Sequence, residues 1–390
     1  MRLRTDKLWT VPIACGALAV ALTVVSLVPL LRPVGWNLSA LPRVAGPNTP
    51  MGERALAIDP GFRTVSGGYD GQFNWGIAID PLARGYIHQR FDNAPYRYGH
   101  PLYGWLGWLA SGDTARAVPT ALIAIGLAAM FAAGALAAGL GRVLGGSGWE
   151  GLFVALNPGL IFSATHDLTE PLSTALMLAG LLSYLAGKRW IAAAWFVLLI
   201  LSKEQFALVP AALALWDLVR SSRRLANAAV LASSILPPLA WWVYVEAQLH
   251  QSFLSHSGVF GFPLAGWRRT LVDSGVWSYA TDYYQFLLGE STLIVVIPML
   301  ALLVLAGIRA LRFRTPIDLV YLLLGVLLVF LGLDSTYILR DSLRIVSVTL
   351  VLVPFVLVSG RRPPAPRTAL VGPADERERG AGEDLKVEQG

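Results

Sequence analysis

The chain has 390 residues, 55% of them hydrophobic and only 14% charged, with a formal net charge of +6. A soluble globular chain carries about 25% charged residues, so a water-facing surface over most of the chain is excluded, and the abundance of apolar residues excludes general disorder. One cysteine, Cys15, excludes disulfides and thiolate metal clusters, and basic residues dispersed between apolar runs, with no basic-aromatic stripe, exclude a nucleic-acid partner.

What remains is a bundle of membrane helices. A spanning helix needs about 20 mostly apolar residues. Ten segments qualify in outline, at 8–31, 117–141, 151–165, 171–187, 190–202, 205–219, 225–246, 291–308, 316–333 and 343–360. The first is too long for a signal-peptide core and lacks a convincing cleavage site, so it is expected to stay as an anchor. Several middle segments are short, as tilted or broken helices would be. Basic residues sit on alternate ends of these segments: Arg2, Arg4 and Lys7, then Arg142, Lys188-Arg189, Arg220 with Arg223-Arg224, Arg309 with Arg312 and Arg314, and Arg361-Arg362. All therefore fall on one face, which the positive-inside tendency makes cytoplasmic. The expectation is an all-α integral membrane protein of about ten transmembrane helices over 1–360, multi-pass in a bacterial-type plasma membrane, with both termini cytoplasmic. The tail 361–390, rich in Pro, Gly, Arg and Glu without an apolar period, is expected to be a disordered cytoplasmic end. No internal repeat is convincing, which argues against a repeat-built transporter.

The opposite face carries the external loops 32–116 and 247–290, whose many aromatic residues predict short interfacial helices. In the first loop, Gly67-Gly68 precede Tyr69-Asp70-Gly71-Gln72-Phe73-Asn74-Trp75-Gly76-Ile77. The turn sets Asp70 just before a short amphipathic helix, with Phe73 and Ile77 at i, i+4 on its membrane-facing side. There Asp70 either caps the helix or accepts a proton from an acceptor hydroxyl. Further along runs Phe91-Asp92-Asn93-Ala94-Pro95-Tyr96-Arg97-Tyr98-Gly99-His100-Pro101. Arg97 and His100 suit a lipid phosphate while the aromatics suit acyl chains or a sugar face; the alternative is a plain re-entry anchor.

The turn His166-Asp167-Leu168-Thr169-Glu170-Pro171 opens the next span. Thr169 or Glu170 makes a cap ahead of Pro171, favoured by the helix dipole. One histidine and two carboxylates in five residues would also orient an acceptor or bind a divalent cation, although a metal site needs further ligands and is the less favoured reading. Lys203-Glu204 interrupts an apolar stretch, as Asp334, Arg340, Asp341 and Arg344 do near the last span. A charge at mid-bilayer costs about 2.5–3.5 kcal/mol, so these belong at a watery edge or pair with one another. Arg340 and Arg344, at i, i+4, present two forks suited to phosphate, or else one of them pairs with Asp341. Taken together, the acidic and cationic candidates predict a hydrophilic pocket just above the bilayer on the external face.

On these residues the sequence resembles the GT-C superfamily, multi-spanning glycosyltransferases that use polyprenyl-phosphate-linked sugars. The likeness rests on the long first external loop with Tyr69-Asp70-Gly71-Gln72-Phe73, on Asp80-Pro81, on Tyr96-Arg97-Tyr98-Gly99-His100-Pro101-Leu102, and on Thr169-Glu170-Pro171-Leu172, similar to the acidic turn of mannosyltransferase-like members. The resemblance implies a GT-C-like bundle and transfer of a sugar from a polyprenyl-phosphate donor to a glycan, lipid or protein acceptor of the cell envelope, with inversion. Asp70 would match the general base, supported by Tyr69 and Gln72, and Asp167 or Glu170 the second acidic position. Arg97, His100, His166, Lys203, Arg340 and Arg344 are candidates for the lipid phosphate by position. The first loop lacks a plain Asp-x-Asp or Glu-Asp pair, so the resemblance implies no cofactor with certainty. Two other readings stand beside it: a transporter or flippase for a lipid-linked sugar, which would place essential polar residues mid-helix, and a non-catalytic GT-C-like scaffold, which would tolerate Asp70→Asn.

Overall fold

A computed structural model of the chain describes residues 7–221, 223–252, 261–272, 291–331 and 339–358. The tail 361–390, most of the loop 247–290, Asp334 and the Arg340 side chain lie outside the described residues. The molecule is helical throughout, with no strand among the described residues beyond a single bridge between Ala45 and Val65. Among the described residues, four helical stretches are long and apolar enough to cross a membrane: Thr10–Val34, Ala115–Val143, Arg224–Leu249 and Asp341–Val358.

Helix α1 (Lys7–Leu31) lies along α6 (Val118–Val143), the long helix that follows the segment 32–116. Between apolar helices in lipid, close backbone approach rather than water exclusion drives association. Gly16 and Gly134 provide it: a Cβ on Gly134 would stand 2.9 Å from the Cys15 carbonyl oxygen, and one on Gly16 would stand 2.7 Å from that of Phe131. The segment 151–165, expected as one span, is two short helices, α7 (Leu152–Ala155) and α8 (Pro158–Thr165). Pro158 has no amide proton to continue the ladder. The Asn157 side chain instead caps α8, accepting from the amides of Gly159 and Leu160 at 3.1 and 3.2 Å, and donates to the Ser347 carbonyl at 3.0 Å.

Then come α9 (Glu170–Leu185), α10 (Arg189–Ser202), α11 (Leu208–Arg220), α12 (Arg224–Ala232) and α13 (Leu236–Leu249), the last two forming one long stretch with Pro237-Pro238 at the join. At one end of the bundle Tyr184, Arg189 and Asp217 tie α9, α10 and α11 together: the Tyr184 hydroxyl and Arg189 Nε donate to the buried Asp217 carboxylate at 2.8 and 2.9 Å. The described C-terminal helices are α15 (Ser291–Ala310), α16 (Pro316–Val329) and α17 (Leu339–Val358), after a short α14 (Ala265–Val272). The described parts of the ten expected segments are thus largely helical, and Arg189 and Arg220 lie where α9 and α11 end, away from Asp70.

The long segment 32–116 folds into short helices, as its aromatic content predicts: α2 (Pro50–Ile58), α3 (Gly71–Ile79), α4 (Ala94–Tyr98) and α5 (Leu102–Ser111). One expectation fails. Helix α3 is not amphipathic at a membrane surface, since Phe73, Asn74, Trp75, Gly76, Ile77 and Ala78 are all buried. The rest of the loop folds around it, with Phe73 edge-on to Phe91 at 5.1 Å and Trp75 against Phe62 at 5.2 Å. Aromatic side chains of α13 clamp this layer onto the bundle. The indoles of Trp241 and Trp242 donate to the Tyr98 and Gly99 carbonyls at 2.6 and 2.7 Å, and the Tyr244 hydroxyl to Leu82 at 2.9 Å. The two indole bonds satisfy carbonyls at the end of α4 that have no partner within that helix.

Candidate active site

Five chain segments meet at one end of the bundle: the start of α3, helix α4, the starts of α9 and α17, and the turn between α10 and α11. Gly71 makes the meeting possible, because a Cβ there would stand 2.3 Å from the His166 carbonyl oxygen and 2.9 Å from that of Pro42. Asp70 is thereby pinned against the 166–170 turn.

Asp70 does not cap α3. Its backbone is helical (φ −57°, ψ −25°) and its side chain accepts no amide of the first turn, whereas a capping residue takes up an extended backbone. The carboxylate instead bridges two guanidinium groups, with Oδ1 3.1 Å from Arg97 Nη1 and Oδ2 2.7 Å from Arg344 Nη1. Arg344 also reaches Glu170, with Nε 3.3 Å from Oε1, and that same oxygen receives Lys203 Nζ at 2.7 Å. Arg344 Nη1 donates to the Tyr69 hydroxyl at 3.1 Å, and Tyr69 in turn donates to Asp341. Tyr69 thus bridges Arg344 to Asp341, while the alternative pairing of Asp341 with Arg340 lies outside the described residues.

Around this core, Arg97 lies over the Phe73 ring at 3.9 Å and binds Asp92 at 2.9 Å, while His100 Nδ1 stands 3.1 Å from Glu204 Oε2. Asp70, Arg97, His100, Glu170, Lys203 and Arg344 line one small cavity of about 50 Å³, together with the apolar side chains of Phe73, Ile77 and Leu168. Its charged wall holds three permanent cations against two carboxylates, with His100 beside them.

Burial alone would push the Asp70 carboxyl up; the guanidiniums of Arg344 and then Arg97, with the Arg344 hydrogen bond, outweigh it and hold the group well below the usual carboxylate range. As it stands, Asp70 is ionised at every physiological pH and is a weak base. Glu204 is likewise pushed up by burial and brought below its ordinary range by His100.

Three sequence candidates stand apart from this cavity. His166 stacks on Phe162 at 4.1 Å, and its Nδ1 lies 2.9 Å from the Phe162 carbonyl oxygen, closing the end of α8; the ring lines a separate apolar cavity with Arg43 and Leu41. Asp167 is fully buried in a left-handed backbone conformation (φ +52°), and neither carboxylate oxygen has a hydrogen-bond partner among the described residues. Its carbonyl accepts from the Asn74 amide at 2.8 Å. Burial raises its carboxyl far above the ordinary range, so it is the neutral acid. Glu170, not Asp167, is the second carboxylate of the cavity: Thr169 opens α9 without a side-chain cap, and the Glu170 side chain is spent on Lys203 and Arg344. Gln72 serves the loop, accepting from the Ala45 amide at 3.2 Å. Sequence reasoning passed over Tyr96 and Asn74, both lining the cavity, and the pairing of Glu204 with His100. Tyr96 lies inside the motif already singled out; no local signal joins His100 to Glu204.

No group of three or more His, Cys, Asp or Glu side chains converges among the described residues. The cavity's two carboxylates each face cations rather than each other, so the donor set does not fit a divalent cation. What the arrangement can do is bind an anion, through Arg97, Arg344 and Lys203, beside a carboxylate that the same arginines hold in reserve. No family model matches the chain, and no curated protein or solved structure matches it either.

Proposed function

We propose that the chain is a polytopic membrane glycosyltransferase of the GT-C kind, moving a sugar from a polyprenyl-phosphate carrier to a cell-envelope acceptor on the non-cytoplasmic face. The observation that carries the reading is the ion-pair cavity itself: Asp70 held between Arg97 and Arg344, with Glu170 and Lys203 adjoining. The sequence resemblance to GT-C enzymes supports the same residues, and the segments' helicity supports a bundle of about ten spans.

The closed state explains how such a site would be triggered. A cavity of about 50 Å³ holds one or two waters, each occupying about 30 Å³, and no sugar phosphate. The donor's phosphate therefore enters by taking Arg344 and Arg97 from Asp70, a bidentate match that guanidinium groups favour. Losing those partners restores basicity to Asp70 just as the donor arrives. Asp70 then takes the proton of the acceptor hydroxyl; the acceptor oxygen bonds to the anomeric carbon, and the bond from that carbon to the phosphate oxygen breaks with its electron pair on the leaving polyprenyl phosphate. The freed arginines and Lys203 stabilise the charge developing on that phosphate. Attack opposite the leaving group inverts the anomeric centre. Lys203 and Arg344 also keep Glu170 ionised and in place to orient the acceptor.

The test is turnover by the purified full chain supplied with a polyprenyl-phosphate sugar and water or a glycan acceptor. Release of polyprenyl phosphate by the wild type, lost in Asp70→Asn, supports transfer. Movement of intact donor across a vesicle membrane without its cleavage would favour a flippase, and unchanged turnover in Asp70→Asn would overturn the assignment of the base.

A further inference from the structure

The end of the bundle opposite Asp70 carries a second polar cavity, of about 430 Å³, between the ends of α9 and α11 and the starts of α10 and α16; it is lined by Arg189, Trp216, Asp217, Arg220, Ser221 and Pro316. The charges at this end are unevenly used. Its described carboxylates are all spent inside the protein. Asp217 holds Arg189 and Tyr184, Asp318 accepts the amides of Arg314 and Thr315 at 2.8 Å each, and Glu150 accepts the amides of Ser147 and Gly148 at 3.1 and 2.6 Å. The cations are not. Arg220 lines the cavity and is exposed, as are Lys188, Arg223, Arg224, Arg312 and Arg314, each within four residues of the lining residues Gly187, Ser221 or Pro316 along the chain, and neither Arg220 nor Arg224 forms an ion pair among the described residues. Arg220 lies over the Trp216 ring at 5.4 Å and Arg224 Nε donates to the Ser221 carbonyl at 3.3 Å, which sets both at the cavity rim. Large apolar side chains share this level: Trp190 is 72% exposed and Phe313 42% exposed.

Exposed Trp and Phe interleaved with arginine belong to the headgroup layer of a bilayer, where the ring meets the acyl boundary and the guanidinium meets phosphate. A basic pocket between helix ends at that depth suits an anionic lipid headgroup. We propose that this cavity binds the phosphate of an anionic phospholipid, with Arg220 and Arg224 on the phosphate, Trp216 against the headgroup's carbon skeleton, and Arg189 fixed as the floor by Asp217. The inference needs only that the bundle sits in a membrane and is independent of the sugar-transfer reading.

The test is lipid binding by the full-length protein in nanodiscs of phosphatidylcholine containing increasing phosphatidylglycerol, read by native mass spectrometry after mild delipidation. The wild type retains phosphatidylglycerol in preference to phosphatidylcholine. The exposed pair Arg220→Ala with Arg224→Ala, which disturbs no buried carboxylate, loses that preference by about 30-fold, from about 5-fold for each basic residue near an anionic surface. Lys substitution at both positions restores most of it. Equal retention of the two lipids by the wild type, or an unchanged preference in the double variant, would overturn the proposal. Displacement of the bound lipid by inorganic phosphate at millimolar concentration would assign the cavity to a soluble phosphate and overturn the lipid assignment.

Discussion

Arg344 is the residue on which the site's electrostatics turn, and its coupling to Asp70 can be measured. The two charges lie within 2.7 Å at their nearest atoms, and the Arg344 side chain is 12% exposed against 32% for Asp70. At an effective dielectric of about 20, unit charges centred about 4 Å apart attract by about 4 kcal/mol. Desolvation of the guanidinium and the sharing of Asp70 with Arg97 take back part of this, since pairs that are partly exposed lose much of their Coulomb gain. A net coupling of about 2 kcal/mol results. The perturbation is a double-mutant cycle of Arg344→Met and Asp70→Asn, with unfolding followed in mixed micelles. The Arg344→Met change alone costs more, about 3 kcal/mol, because it also strips Glu170 of one of its two cations deep in the protein. A coupling below about 0.5 kcal/mol would mean that Arg344 does not sit on Asp70, and the account of a carboxylate held in reserve would fall.

Other outcomes follow from the same contacts. Gly71→Ala forces a methyl group against the carbonyls of His166 and Pro42, so stability falls by about 1–3 kcal/mol and activity with it; wild-type melting temperature in this variant would refute the close approach. Asp167 and Glu170 separate by assay: Glu170→Gln abolishes turnover while Asp167→Asn keeps it, and equal losses would contradict the assignment of the second acid. Asp167 also fixes a pH dependence. Its native carboxyl is raised by burial above the unfolded value near 3.9, so the stability it contributes is complete below about pH 4 and is lost as pH rises towards the native value. Thermal melts from pH 4 to 8 should therefore show the wild type falling behind Asp167→Asn as pH increases, and parallel curves would refute it. Lys203→Met, which removes one cation from the cavity, is expected to raise the donor KM by about tenfold or more, at about 1.5–3 kcal/mol for a hydrogen bond to a charged group, with kcat affected less.

Helicity was legible because the bilayer imposes it: apolar runs must become helices to satisfy their backbone. Local signals read equally well where the physics was local, as with the short helices of the first loop and the prominence of Asp70, Arg97, Lys203 and Arg344. What could not be read was tertiary. The pairing of residue 70 with residue 344 spans most of the chain and leaves no trace in spacing. Helix α3 looked amphipathic because Phe73 and Ile77 share a face, but the loop's own aromatics cover every other side too. The turn at 166–170 was misread in detail for a similar reason. Its three polar side chains are adjacent in sequence, yet the left-handed backbone at Asp167 turns them apart, His166 to the end of α8, Asp167 into the core and Glu170 to the cavity. The break at Asn157-Pro158 was, by contrast, available to local reasoning, since Asn before Pro supplies both a side-chain cap and the first position of a new helix.

The most direct measurement of the central claim is a cryo-electron microscopy structure of the wild-type protein saturated with polyprenyl phosphate. The phosphate should lie between the guanidiniums of Arg97 and Arg344, with Asp70 released from at least one of them and open to the external side. A phosphate bound elsewhere, with both arginines still closed on Asp70, would contradict it.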